Sequence, residues 1–138
     1  ICEYDAKDDR STLWLSSQGV HMIRPVVADM ILKIGSPKLR VRTGDVGGGF
    51  GMKIFVHPEY PMVVWASRLL KSTVKWIPDR QEAFQSDVQG RDHVSIAEMA
   101  LDKDARFLGC RITTYAALGA YLNHSSVFTP TLAGSSTA

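Results

Sequence analysis

Five glycines stand within eight residues in the segment Gly44-Asp-Val-Gly-Gly-Gly-Phe-Gly-Met-Lys53, which we call the glycine loop. Glycine tolerates a positive φ and lets another group approach the backbone closely, although it raises the entropic cost of folding. A flexible linker would carry more serines, and a simple hairpin would need only one or two glycines. We therefore expect the backbone of the loop to face a ligand, with a tight structural turn as the alternative.

The segments before the glycine loop predict two strands and a helix. Residues 12–16 and 39–43 alternate in the manner of strands, and the second strand leads directly into the loop. Residues 21–34 predict an amphipathic helix, because apolar side chains recur there at spacings of three and four. Pro25 is expected near the first turn of that helix, where its missing N–H costs little. The charged residues 5–10 are expected to form a solvated connection.

Beyond the loop, residues 59–70 are apolar at most positions and predict a well-buried helix. Residues 73–77 predict a strand. Asp79 and Glu82 have the spacing of a capping box at the start of a short helix.

Two alternating segments, residues 93–101 and 107–115, flank a polar turn and predict an antiparallel hairpin. The order of elements predicts an α+β fold, in which a two-layer mixed sheet carries helices on one face. We expect residues 1–138 to form a single domain, since no segment has the composition of an interdomain linker.

The composition is that of a globular protein, with 45% apolar and 22% charged residues and a net charge of +2. No basic run indicates nucleic-acid binding, and no apolar run approaches the roughly 20 residues of a membrane span. Cys2 and Cys110 are isolated, which favours a reducing compartment, the cytoplasm. The chain begins at Ile1 and ends in a polar tail, so we expect a fragment of a longer polypeptide; a complete small protein is the alternative.

The common phosphate-binding fingerprints are absent from the glycine loop. The dinucleotide motif would need a third glycine where Met52 stands, and the P-loop motif would need glycine before Lys53 and a hydroxyl residue in place of Ile54. An anion nest of successive backbone N–H groups remains possible.

No classical catalytic arrangement is evident elsewhere in the chain. The four histidines are scattered and read as surface or capping residues: His21, His57, His93 and His124. The acidic residues between positions 79 and 92 are better explained as helix caps and solvated charges than as acid–base pairs.

The glycine loop, together with Ser16-Ser-Gln-Gly19, Val74-Lys-Trp-Ile-Pro-Asp-Arg-Gln-Glu82 and Gln89-Gly-Arg-Asp-His93, resembles the molybdenum-cofactor subunit of the xanthine dehydrogenase and aldehyde oxidase family. The later segments Ala100-Leu-Asp-Lys-Asp104 and Leu118-Gly-Ala-Tyr121 match as well. Within the family, residues 51–60 are most similar to the large subunits of aerobic carbon monoxide dehydrogenases. The resemblance covers essentially the whole chain.

The resemblance implies a molybdopterin cofactor containing molybdenum, in its cytosine dinucleotide form. It assigns cofactor binding to the backbone of Gly47, Gly48, Gly49, Phe50 and Gly51. It implies that Gln18 is the catalytic residue that hydrogen-bonds an oxygen ligand of the metal. No side chain of this chain is expected to ligate molybdenum directly.

The resemblance also implies what the parent enzyme does. It would be a molybdenum-dependent oxidoreductase that oxidises an aldehyde, an N-heterocycle or carbon monoxide with water as the oxygen source. Iron–sulfur and FAD centres would lie on partner subunits or domains. Ile54 stands where the purine-oxidising members carry an acidic residue, which argues against xanthine as the substrate.

The family's general-base glutamate and its substrate loop would lie beyond position 138. We therefore do not expect the isolated chain to catalyse the reaction. Two other functions remain open at this stage. One is a non-catalytic module that binds a nucleotide or phosphate in the glycine nest. The other is a structural or assembly domain with the same fold.

Overall fold

The computed structural model describes residues 1–88, 92–120, 122, 126–128 and 130–131. Its contacts cluster into two compact units, Ile1–Asp87 and Val88–Ala138. The expectation that residues 1–138 form one domain stays a prediction. The candidate site lies in the first unit.

A three-stranded mixed sheet forms the centre of the first unit. Its strands are β1 (Cys2–Asp5), β2 (Arg10–Trp14) and β3 (Leu39–Arg42), in the order β1-β2-β3. β1 pairs antiparallel with β2, and β2 pairs parallel with β3, so the glycine loop leaves the carboxyl end of an edge strand. The strands predicted over residues 12–16 and 39–43 are confirmed, with shifted bounds. β1 was not predicted, because four residues with one buried side chain, Cys2, give too short an alternation.

The first helix, α1, runs over Val20–Pro25 and continues as a π-helical segment over Val26–Ile31. The expectation that Pro25 lies near the first turn is wrong, because α1 begins at Val20 and the proline is its sixth residue. Proline has no N–H to donate to the preceding turn, and its ring crowds the carbonyl four residues earlier. Both effects disturb the α-helical hydrogen bonds at Pro25. Beyond it the turns widen, and Leu32 N donates to Val27 O at 3.0 Å.

The second helix, α2 (Glu59–Leu70), has the predicted bounds but is not fully buried. One stripe of α2 contributes Val63, Val64 and Ser67 to the interior. The opposite stripe, formed by Met62, Trp65 and Leu69, is 63%, 58% and 63% exposed. The prediction of a well-buried helix is therefore wrong for that stripe.

Both helices contribute to a single core against the sheet. The hydrophobic part of this core consists of Cys2, Leu13, Ile23, Val27, Ala28, Leu39, Val63 and Val64. Ser67 is buried among them, and its single hydroxyl hydrogen is shared between the backbone oxygens of Ser72 and Cys2, at 2.7 and 3.1 Å, so its polar atom is satisfied. The predicted arrangement of helices packed on a small mixed sheet, an α+β fold, is confirmed.

The strand predicted over residues 73–77 is wrong, since only Val74 forms a bridge. Its N–H and C=O exchange hydrogen bonds with Cys2 at 2.9 and 2.8 Å. The backbone groups of the neighbouring Ile1 face the other side and exchange hydrogen bonds with Trp14 at 3.0 and 2.8 Å, as the alternation of an antiparallel ladder requires. Among the described residues, Val74 is the one position of 73–77 that pairs with a strand.

The last helix of the first unit, α3 (Arg80–Ser86), begins with the predicted capping box. The Asp79 carboxylate accepts the Glu82 N–H at 2.8 Å, and the Glu82 carboxylate accepts the Asp79 N–H at 2.9 Å. Among the described residues, no helix is both long and apolar enough to cross a membrane.

The second unit contains the predicted antiparallel hairpin, formed by β4 (Asp92–Leu101) and β5 (Phe107–Ala117). The Asp102 carboxylate closes its turn by accepting the N–H groups of Asp104 and Arg106 at 2.8 and 2.9 Å. Residues 89–91, part of the segment Gln89-Gly-Arg-Asp-His93, and Tyr121 lie outside the described residues, as do residues 132–138.

Candidate functional site

The glycine loop reverses direction at two consecutive residues with positive φ. Phe50 has a φ of 51° and Gly51 a φ of 85°. The turn is closed by a hydrogen bond of 2.9 Å from Met52 N to Gly49 O, and a short 3-10 turn, Met52–Ile54, follows. Phe50 adopts the left-handed conformation, which is uncommon for a residue other than glycine, and its side chain is 100% exposed.

The structure brings Gln18 and the glycine loop together. Gln18 Oε1 accepts the backbone N–H of Gly51 at 3.0 Å, and the backbone N–H of Gln18 donates to Lys53 O at 3.0 Å. The buried Ser17 reinforces this connection, because its hydroxyl donates to Lys53 O at 3.2 Å and accepts the Gly19 N–H at 2.9 Å. The loop is thus fixed to the segment that joins β2 to α1.

Gly49 leaves room for the Gln18 side chain. A Cβ at position 49 would lie 2.3 Å from Gln18 Oε1 and 2.5 Å from its Cδ, far inside van der Waals contact. The resemblance attributes the need for glycines to the cofactor, whereas at Gly49 the structure shows a collision with Gln18. Gly48 lies beside the Phe50 ring, and Gly47 has no neighbouring atom within 4 Å of where a Cβ would stand.

The backbone of the loop presents free hydrogen-bond donors. Within residues 1–88, no hydrogen bond is donated by the N–H groups of Gly47, Gly48, Gly49 and Phe50. Successive backbone N–H groups in a turn can bind phosphate or oxo groups. The loop therefore fits a cofactor that carries such oxygens.

His57 holds the far end of the loop, and sequence reasoning had taken it for a surface or capping residue. Its Nε2 lies 3.2 Å from Met52 O, and its Nδ1 lies 3.9 Å from a carboxylate oxygen of Asp87. The ring packs edge-on against Tyr60, with centroids 5.4 Å apart. Burial, helped by the charges of Glu59 and Asp87, raises the pKa of Tyr60 to about 12.

Two of the other histidines lie in the part of the chain that the structure describes. His21 is exposed on the first turn of α1, and His93 lies on β4 in the second unit. His124 is outside the described residues. Among the described side chains, no group of three or more His, Cys, Asp or Glu could hold a metal ion.

A mostly apolar cavity of about 480 Å³ lies beside the loop in the first unit. Its walls include the aromatic rings of Trp14, Tyr60 and Trp76, and Met52 and Lys53 contribute from the end of the loop. Neither Gln18 nor residues 47–51 line it. The candidate site is therefore the surface formed by Gln18 and the loop backbone, and the cavity is a separate feature.

Curated relatives and solved structures resemble this chain over most of its length. The chain is 34% identical over 121 residues to the carbon monoxide dehydrogenase large chain of Hydrogenophaga pseudoflava, and this match covers 88% of the chain and 15% of the relative. It is 31% identical to the nicotine 6-hydroxylase large subunit of Paenarthrobacter nicotinovorans, with the same coverage. The crystal structure of quinoline 2-oxidoreductase from Pseudomonas putida 86 superposes with a TM-score of 0.71 at 34% identity, over 82% of this chain and 14% of that one.

The chain spans about 15% of the length of the curated relatives that it matches. The resemblance inferred from the sequence motifs agrees with these matches. The sequence profile of the molybdopterin cofactor-binding domain matches residues 1–138, the whole chain. The chain therefore belongs to the molybdopterin cofactor-binding domain family.

Proposed function

We propose that this chain is the molybdopterin-binding part of a molybdenum hydroxylase large subunit, with the glycine loop and Gln18 forming one side of the cofactor pocket. The observation that carries the proposal is the hydrogen bond of 3.0 Å between Gln18 Oε1 and Gly51 N, made beside a glycine that has no room for a Cβ. This contact joins the proposed catalytic side chain to the proposed cofactor-binding backbone.

The proposed roles follow from the donors that are left free. The Gly51 N–H needs an acceptor, so the oxygen of the Gln18 amide faces it and the amide nitrogen is the other terminal atom. Within residues 1–88 that nitrogen makes no hydrogen bond, and it is available to donate to an oxygen ligand of molybdenum without adding charge. The backbone of residues 47–51 would hold the cofactor, which supplies the two-electron redox chemistry when bound.

For the parent enzyme, we propose oxidation of an aldehyde, an N-heterocycle or carbon monoxide, with water as the oxygen source. The names of the relatives, which include carbon monoxide dehydrogenase, nicotine 6-hydroxylase and quinoline 2-oxidoreductase, support substrates of this kind. Ile54, which cannot hydrogen-bond a purine, supports a substrate other than xanthine.

The finer features of the parent are also proposals. The cofactor would be the cytosine dinucleotide form, and iron–sulfur and FAD centres would lie on partner subunits; the names "large chain" and "large subunit" among the relatives support such an assembly. A cytoplasmic location is supported by two free cysteines, the buried Cys2 and the exposed Cys110.

Molybdenum content of the purified parent subunit tests the proposal, with Gly49→Ala compared to Gly44→Ala. The added methyl group at position 49 displaces Gln18, whereas Gly44 has open space and no positive φ. We expect Gly49→Ala to lower the affinity for the cofactor by about tenfold or more, the scale of disturbing a group that orients metal ligands, and Gly44→Ala to retain it. Stoichiometric zinc without molybdenum in the wild-type subunit would overturn the proposal.

The two alternatives from the sequence, a non-catalytic nucleotide-binding module and a structural domain, receive no support from the family match. The structural alternative predicts that Gln18→Ala leaves the parent's activity intact. We expect a loss of activity instead, because alanine has no amide to donate.

A further inference from the structure

We infer that His57 is a positioning residue, which holds the outgoing end of the glycine loop and thereby sets the contact between Gln18 and Gly51. The inference rests on the proposed function only where that function gives the Gln18–Gly51 contact its role in the cofactor pocket. Its geometry comes from hydrogen bonds within the first unit.

The carbonyl oxygens of two consecutive residues at the end of the loop are held from separate parts of the chain. Lys53 O accepts the backbone N–H of Gln18 at 3.0 Å and the Ser17 hydroxyl at 3.2 Å. Met52 O accepts from His57 Nε2 at 3.2 Å. Met52 O belongs to the peptide plane between Met52 and Lys53, and Lys53 O belongs to the next plane, between Lys53 and Ile54. Because each plane is rigid, holding both carbonyls fixes the orientation of two successive peptide planes at the end of the loop.

The tautomer of His57 follows from its partner. A carbonyl oxygen only accepts, so Nε2 must carry the hydrogen in this contact. The ring is oriented by edge-on packing against Tyr60, and its Nδ1 faces Asp87 at 3.9 Å. The Tyr60 N–H donates to His57 O at 3.0 Å, which anchors the histidine backbone to the first turn of α2. His57 therefore connects the loop to a packed helix.

Met52 is also part of the turn that presents the Gly51 N–H to Gln18. Met52 N donates to Gly49 O at 2.9 Å, and the neighbouring N–H of Gly51 donates to Gln18 Oε1. Without the His57 contact, Met52 can rotate out of the turn and withdraw the Gly51 N–H from Gln18. A residue outside the glycine loop thus controls the geometry of the candidate site.

Amide hydrogen exchange in the cofactor-free parent subunit tests this inference. His57→Leu removes the donor at similar size, and we expect exchange at the Gly51 and Met52 amides to accelerate about fivefold, the effect of losing one hydrogen bond of ordinary net strength. His57→Gln places an amide N–H near the position of Nε2 and is expected to restore most of the protection. His21→Leu is the matched control, since the His21 side chain is exposed and makes no hydrogen bond or ion pair among the described residues.

The possible outcomes separate this inference from the proposed function. Unchanged exchange at Gly51 and Met52 in His57→Leu would overturn the inference, even if the wild-type subunit contains molybdenum. Faster exchange in a subunit that never contains molybdenum would support the inference while the proposed function fails. Should His57→Leu not fold, His57→Gln and His57→Asn decide, because asparagine is too short to reach Met52 O; equal protection in these two variants would contradict the positioning role.

Discussion

Asp9 connects three elements of the first unit through one carboxylate. It occupies the turn between β1 and β2 with a φ of 47°. Its oxygens accept the Tyr4 hydroxyl at 3.0 Å and pair with Lys38 at 2.5 Å and with the guanidinium of Arg68. Hydrogen bonds from Lys38 and Tyr4, followed by that from Arg68, lower the pKa of Asp9 to about 2.

The lowered pKa of Asp9 predicts an acid-dependent loss of stability. The unfolded carboxyl has a pKa of about 3.9, so its contribution is complete above about pH 4 and is lost as the pH falls toward 2. We expect Asp9→Asn to flatten the decline in melting temperature between pH 4 and 2, since asparagine also tolerates a positive φ. Asp8→Asn, at an exposed neighbour, should keep the wild-type slope. Because Asp9 is solvent-accessible, added salt should weaken the effect; identical slopes in all three proteins would contradict the prediction.

At the scale of secondary structure, α3 depends on its cap more than on packing. Six of its seven residues, all except Ala83, are exposed. The reciprocal hydrogen bonds of Asp79 and Glu82 satisfy two N–H groups at its start. A helix with so little buried surface gains most of its local stability from such contacts.

Asp79→Ala is therefore expected to destabilise α3 by about 1 kcal/mol. The amides of Ala83 and Asp87, which donate to Asp79 O and Ala83 O, report on the helix by hydrogen exchange. Asp79→Ser should retain most of their protection because serine also caps. Gln81→Ala, at an exposed position whose side chain makes no hydrogen bond among residues 1–88, serves as the control. Equal protection in Asp79→Ala and in this control would contradict the prediction.

Local patterns predicted the elements whose partners are near in sequence. The capping box at Asp79 and the bounds of α2 follow from residues within one or two turns. The strand predicted over residues 73–77 is wrong because its pairing depends on the distant β1, with which Val74 alone forms a bridge, to Cys2. Periodicity describes which face is apolar, but it does not show whether another strand has hydrogen-bonding groups to offer.

At the scale of the whole molecule, the first unit leaves an apolar stripe of α2 uncovered. Met62, Trp65 and Leu69 follow the i, i+3, i+7 spacing of one helix face and are each more than half exposed. Contiguous exposed apolar surface of this kind usually marks a contact with another polypeptide.

We expect the 138-residue chain, purified alone, to bind a hydrophobic dye and to self-associate through this stripe. The double variant Met62→Lys/Leu69→Lys should lower both signals severalfold, with a small change in melting temperature because the positions are exposed. Gln81→Lys adds charge at an exposed polar position of α3 and should leave dye binding unchanged. Dye binding that persists in the double variant would place the responsible surface elsewhere.

The sequence was informative about part of the candidate site. The density of glycines predicted a loop that faces a ligand, and the resemblance to the family assigned Gln18 to the same site; the hydrogen bond from Gly51 brings the two together. His57 could not be found in this way, because its partner is the backbone oxygen of Met52, which every residue type supplies. Only the folded geometry distinguishes this histidine from an exposed one such as His21.

The close approach of Gly49 to Gln18 has a consequence for how this chain can evolve. Position 49 gains room for a methyl group only when the side chain at position 18 is shortened or redirected. Homologous sequences are therefore expected to vary at these two positions together, with alanine or serine at 49 accompanied by a smaller residue at 18. A change of Gly49 alone displaces the Gln18 side chain from Gly51, so a lineage that keeps glutamine at position 18 is expected to keep glycine at position 49.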